Sequence, residues 1–209
     1  MHKIDFNLEK NPFYNFQSSR YSMSARVNVK KAYEFAKNEN YSFFLVTLAS
    51  LLKAANDVEK LRYRIINNEV VEFESMDGIT PIMDESKNSY CEMRVKNPDN
   101  FPSWHKNVKK LSKDILSEKI EGFNLLMEKR DEENIINFSC IPWVDFDSIT
   151  TAVLHPRQIQ PLITWGKFDK DYEMTVSITV NHIFVAGSDL AKFYKKAQYY
   201  LDNVEKLFK

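Results

Sequence analysis

Met174-Thr175-Val176-Ser177-Ile178-Thr179-Val180-Asn181-His182 alternates apolar and polar side chains at each step. A strand turns successive residues to opposite faces, so Met174, Val176, Ile178 and Val180 share one face and His182 ends their row. An ionisable ring closing a hydrocarbon row is a chemical signal. Desolvation there favours the neutral imidazole, the form a general base needs near neutral pH. The same pattern also suits a buried histidine satisfied by one hydrogen bond, and periodicity alone leaves both readings open.

Working outward from this strand, Ser188 is placed to cap a helix after Ala186-Gly187. Its apolar face takes Leu190, Phe193, Ala197, Leu201, Val204 and Phe208, so the helix runs to the end of the chain. Upstream, 162–167 and 135–141 read as strands, the second broken by Pro142-Trp143. Residues 103–119 carry Trp104, Val108, Leu111, Ile115 and Leu116 at helical intervals with lysines between them, an amphipathic surface helix. Residues 61–66 and 70–73 read as a hairpin around Asn67-Asn68, Asp77-Gly78 as another turn, and 79–83 and 90–95 as extended segments. Near the N-terminus, 22–29 alternates as a strand does, a short helix follows at about 30–38, and a more deeply buried one runs from Phe43 to about Asp57. No repeat or Pro/Gly/Ser-rich linker marks a boundary, so 1–209 reads as one domain. Strands and helices mix without strict alternation, which predicts a mixed sheet covered by helices, in the α+β or two-layer α/β sense.

Bulk composition removes several function classes. Lys+Arg and Asp+Glu number 29 each, leaving no basic field to draw the chain onto nucleic acid or anionic lipid. The longest apolar stretch, 41–55, is too short for a bilayer and is interrupted by Ser42, Thr47, Ser50 and Lys53. The first residues lack a secretory pattern, and Cys91 and Cys140 lack paired spacing, which together read as a cytoplasmic protein with reduced thiols, no disulfide framework and no metal site. The four glycines are scattered, so no phosphate-cradling loop is present.

Ser139, in Asn137-Phe138-Ser139-Cys140-Ile141-Pro142-Trp143, sits where a strand ends and could donate its hydroxyl to a developing oxyanion. It lacks the glycine-flanked elbow of a hydrolase nucleophile. The other histidines, His2, His105 and His155, are isolated, and the 105–119 lysines read as a solvated helix face.

Four segments together resemble one family, the trimeric type A chloramphenicol acetyltransferases. Residues 138–146, Phe-Ser-Cys-Ile-Pro-Trp-Val-Asp-Phe, are similar to its Ser-x-x-Pro-Trp-Val-x-Phe segment. Residues 161–168, Pro-Leu-Ile-Thr-Trp-Gly-Lys-Phe, resemble its Pro-Ile-x-Thr-x-x-Lys-Tyr strand. Leu61-Arg62 with the following Glu69-Val70-Val71 resembles its Leu-Arg hairpin, and 181–187, Asn-His-Ile-Phe-Val-Ala-Gly, falls where the family has His-His-x-x-x-Asp-Gly. The order and approximate spacing hold from about residue 9 to the C-terminus. The resemblance implies a CoA-dependent acyltransferase fold assembled as a homotrimer, with active sites at subunit boundaries. It implies acetyl-CoA as cosubstrate, no permanently bound cofactor, and a small hydroxylated acceptor: chloramphenicol, whose acetylation gives antibiotic resistance, or another molecule. By the same resemblance His182 is the general base, Ser139 stabilises the tetrahedral intermediate, Thr164 supports it through water, and Lys167 lies near the CoA.

The chain departs from the family at a few positions. Ala186 stands where the family has an aspartate, and Glu9 where it has an arginine that pairs with that aspartate. Losing both partners of a buried pair is closer to neutral than losing one. Lys10 and Asp189 are candidates for a substitute contact. Phe16 replaces a tyrosine of the acceptor pocket, and Asn15 a neighbouring aromatic, which removes a hydroxyl that would contact chloramphenicol. The alternative implied by Ala186 and Glu9 is a catalytically impaired relative that binds CoA or another ligand.

Overall fold

The computed structural model describes residues 1–84, 87–123 and 133–208. Its elements in chain order are β1 (His2–Lys3), β2 (Arg20–Asn28), α1 (Lys30–Asn38), α2 (Phe43–Asn56), β3 (Tyr63–Ile66), β4 (Glu69–Glu72), β5 (Asp77–Asp84), β6 (Ser89–Val95), α3 (Phe101–Leu116), β7 (Ile135–Cys140), β8 (Leu162–Phe168), β9 (Glu173–Asn181) and α4 (Gly187–Asp202). Short 3-10 turns cover Glu59–Arg62 and Val204–Phe208. Six strands form one mixed sheet in the order β2-β9-β8-β7-β5-β6, and β1-β4-β3 form a small second sheet.

The alternating strand lies near one edge of the large sheet. β9 pairs antiparallel with β2 along its whole length, from Arg20 opposite Asn181 to Asn28 opposite Glu173. On its other side it pairs antiparallel with β8, which runs parallel to β7. Met174, Val176, Ile178 and Val180 are completely buried and join one hydrophobic cluster with α1, α2 and α4. The Tyr194 hydroxyl of α4 donates to Met23 O at 2.6 Å and Val176 O at 3.0 Å, fixing that helix against β2 and β9. The opposite face is polar yet also buried, with Thr175, Ser177, Thr179 and Asn181 hardly exposed. The irregular segment 141–161 covers part of it, its Thr151 hydroxyl 3.3 Å from that of Thr179. Gly166 permits this approach, because a Cβ there would lie 2.6 Å from Val144 O and 2.9 Å from the Phe146 ring.

Several local expectations are corrected. Asp77-Gly78 is no turn but the start of β5, parallel to β7 with Asp77 opposite Ile135. Asp77 is buried because Arg94 and Lys96 meet its carboxylate at 2.8 and 2.9 Å. Gly78 is a packing residue, since a Cβ would sit 3.1–3.3 Å from Val95, Leu52 and Phe138. The lysine-bearing helix starts two residues early, with the Asn100 side chain accepting from Ser103 N at 3.2 Å, and ends at Leu116, followed by Glu118 at φ 58°. The last helix is capped at Ala186, not Ser188, and it stops at Asp202 before the final 3-10 turn. The Asn67-Asn68 hairpin forms as read, both residues in the left-handed region at φ 50° and 62° that a two-residue turn requires.

Candidate active site

His182 stands one residue beyond β9, at the start of a turn that reverses the chain into α4. Its amide donates to Ser19 O at 2.8 Å, and its half-buried ring is stacked on Phe13, centroids 4.0 Å apart at 10°. Tyr21 lies on it at 4.8 Å. The turn itself is fastened from several directions. Asn181 Oδ1 accepts from Ile183 N at 3.0 Å while its amide donates to Gln158 O at 3.2 Å. Asn11 Nδ2 donates to Ile183 O at 2.9 Å, and Tyr21 OH donates to Val185 O at 3.2 Å. Phe184 is wedged edge-on between Phe6 and Tyr63, at 5.3 and 5.6 Å. Ala186 offers no side-chain acceptor, and the Asp189 carboxylate takes its amide instead, at 3.0 Å. An imidazole held in one orientation can receive a proton from a hydroxyl brought within hydrogen-bond reach.

Ser139 lies on β7 with Thr164 of β8 opposite it, and Thr164 lies opposite Ser177 of β9. The Thr164 and Ser177 hydroxyls are buried without a hydrogen-bond partner among the described residues. Ser139 lines a cavity of about 1330 Å³ that runs between the sheet and α3, walled by Phe44, Ile82, Val108, Leu116, Phe138 and Leu162. Trp143 at its rim is 74% exposed. Cys140, beside Ser139 in the same cavity, has its thiol pushed up to about 12 by burial, which keeps it protonated and poorly nucleophilic at neutral pH.

Within one chain these two groups are far apart. β9 runs opposite to β7, so their C-terminal ends point to opposite ends of the sheet. Ser177 is level with Ser139 across two strand spacings, and His182 is five residues further along. At about 3.4 Å per residue and about 4.8 Å per strand, the two backbones stand roughly 20 Å apart. Thr164 is therefore brought to Ser139 and away from His182. Phe16 is on the histidine side, edge-on to Phe13 at 5.4 Å and 52% exposed. Lys167 is exposed, its amide donating to Val144 O at 2.9 Å. Glu9 and Lys10 are both exposed, and of the two substitute candidates only Asp189 makes a contact at the His182 turn. Sequence reasoning missed Phe13, Tyr21 and Asn11. Each acts through a partner more than 150 positions away, and no local signal marks it.

The family model described as chloramphenicol acetyltransferase matches residues 3–198. The chloramphenicol acetyltransferase of Bacillus pumilus is 21% identical over 215 residues, covering 97% of this chain and 94% of its own. Chloramphenicol acetyltransferase 3 of Escherichia coli is 20% identical over 182 residues, covering 85% and 84%. A solved chloramphenicol acetyltransferase structure superposes with a TM-score of 0.79 at 26% identity, over 96% of this chain and 100% of its own. A dihydrolipoamide acetyltransferase from Azotobacter vinelandii shares the fold alone, with a TM-score of 0.68 at 10% identity over 97% and 88% of the two chains. A family match across nearly all of the sequence, on a mixed sheet with helices packed on one face, gives one conclusion: the chain belongs to the chloramphenicol acetyltransferase family.

Proposed function

We propose that this protein is an acyl-CoA-dependent O-acetyltransferase whose active site is completed between two copies of the chain. The observation that carries this reading is the separation of His182 from Ser139. Each is held firmly, each is only half-buried, and they lie roughly 20 Å apart along one sheet. A second copy presenting its Ser139 cavity to the first copy's His182 turn brings both to one acyl group, and a closed ring of three copies repeats the contact without leftover surfaces. The exposed Trp143, Val144, Val153 and Leu154 beside that cavity suit a surface that a neighbour covers.

In this arrangement His182 takes the proton from the acceptor hydroxyl as its oxygen attacks the acetyl thioester carbonyl. The Ser139 hydroxyl donates to the oxyanion that forms, and Thr164, opposite it on β8, supports the same charge through water. Collapse of the intermediate expels the CoA thiolate, which regains the proton from His182, leaving acetylated acceptor and free CoA. A well-placed base contributes about 10²–10⁴-fold, and one oxyanion donor about 3 kcal/mol. Lys167, exposed at the irregular stretch near the end of β8, meets CoA. The acceptor is chloramphenicol or another small hydroxylated molecule, bound against Phe16. Residues 1–209 act as one domain, in the cytoplasm, with acetyl-CoA as cosubstrate.

Thiol release from acetyl-CoA, measured against chloramphenicol and a panel of apolar alcohols, tests this. Release that needs both an acceptor and His182 supports it, with His182→Ala losing about 10²-fold or more. Equal rates for wild type and His182→Ala overturn it. CoA binding without release for any acceptor favours the impaired relative implied by Ala186.

A further inference from the structure

The turn that carries His182 is fastened mostly by neutral groups, and one fastening is a buried charge. Asp189, 4% exposed, directs its carboxylate back onto the Ala186 amide. This is the N3-to-N-cap bond of a capping box, in which the carboxylate reaches back out of the first turn. Here the accepted N–H belongs to the residue before α4, at the far end of the turn that begins with His182. The carboxylate therefore ties that turn to the helix. Its Oδ2 also lies 3.4 Å from Lys60 Nζ, on the 3-10 turn Glu59–Arg62, while Oδ1 lies 3.6 Å from Lys192 Nζ. Lys192 is on the surface of α4 itself, whereas Lys60 comes from a separate element next to Tyr63, which packs on Phe184.

The same turn is held by Tyr21, whose hydroxyl donates to Val185 O and whose ring lies against the imidazole. The phenol is raised above the ordinary tyrosine value by burial first and by the Asp189 charge second, so the carboxylate is close enough to be felt at the histidine's own wall. Asp189 and Tyr21 thus grip the two ends of one peptide group, Ala186 N–H and Val185 C=O.

We propose that Asp189, anchored by Lys60, is a positioning residue for His182: it closes the 182–186 turn and keeps the imidazole stacked on Phe13. Its effect on rate rests on the reading of His182 as the base, and its effect on ring position does not.

The test uses the full chain labelled at histidine, with Asp189→Ala, Asp189→Asn and Lys60→Met beside wild type. The His182 ring resonances, assigned by their disappearance in His182→Ala, report ring-current displacement by Phe13 and Tyr21. Expected in Asp189→Ala is loss of that displacement, with kcat for thiol release about ten- to a hundredfold lower and KM for acetyl-CoA within about threefold. Asp189→Asn keeps an acceptor for the Ala186 amide but loses the anchor, and it shifts the resonances part of the way, as does Lys60→Met. A role in stability alone would lower the melting temperature without this split. Should Asp189→Ala fail to fold, Asp189→Asn decides. Unmoved His182 resonances in the folded Asp189 variants overturn the proposal, and moved resonances in those variants, where the wild type itself transfers no acyl group, support it while removing the acetyltransferase reading.

Discussion

The imidazole of His182 and the ring of Phe13 are stacked face to face, 4.0 Å apart with planes 10° from parallel. Phe13 belongs to an N-terminal segment with no long element of its own. Its carbonyl accepts from the Ser19 hydroxyl, and Ser19 O in turn accepts the His182 amide. The wall of the site and the backbone of the histidine are thereby held by the same short stretch of chain.

Removing the ring tests that wall. An aromatic pair of this kind is worth about 0.5–1.5 kcal/mol beyond its buried area. Phe13→Leu is expected to lower kcat/KM for acyl transfer by about three- to tenfold. Steady-state kinetics beside a thermal melt separates this from general destabilisation.

Complementation tests the shared site. His182→Ala and Ser139→Ala are each expected to lose about 10²-fold or more in rate. Co-expressed, they assemble mixed oligomers in which some contacts pair an intact His182 with an intact Ser139, and those contacts turn over. Recovery well above either variant alone is the expected result, while no recovery in verified mixed oligomers places both groups in one chain.

His105 gives stability a pH dependence. It is buried, and its Nε2 accepts the Ser42 amide at 3.1 Å, at the N-terminus of α2. Burial first and Lys109 second hold its pKa below the ordinary histidine value. The unfolded chain thus binds the proton more readily. Stability is whole above about pH 6.5, the unfolded value, and falls as the pH drops from there through the folded one, with a slope of at most about one proton. Urea midpoints at pH 7.5 and 5.5 should fall more for wild type than for His105→Gln, which keeps an acceptor for Ser42.

Gly166→Ala places a methyl group against Val144 O and the Phe146 ring. Overpacking of this kind costs about 1–3 kcal/mol. The 141–161 segment is expected to lift from the polar face of β8 and β9, which a lower denaturation midpoint and faster amide exchange of Lys167, bonded to Val144 O, would register.

Much of the fold was legible because its signals are local. Alternation in 174–182 identified β9 and its apolar face, helical spacing identified α2 and α4, and Asn67-Asn68 identified a turn that demands left-handed backbone. His182 stood out because an ionisable ring ends an apolar row, whereas Ser139 was singled out mainly by the resemblance of 138–146 to a family segment. What failed was also local reasoning: Asp77-Gly78 has turn composition, yet Arg94 and Lys96 make it a buried strand.

By itself, then, the sequence determined most of the strands and helices and which face of each is apolar, since both depend on neighbours within a few positions, while several boundaries and caps were set by the fold. Only the tertiary structure decided that β7 and β9 run in opposite directions, that Thr164 meets Ser139, that Phe13 and Tyr21 enclose His182, and that Asp189 serves the Ala186 amide. Strand direction and register are set by pairing between distant parts of the chain, and hydrophobic periodicity carries no record of which partner each strand will find.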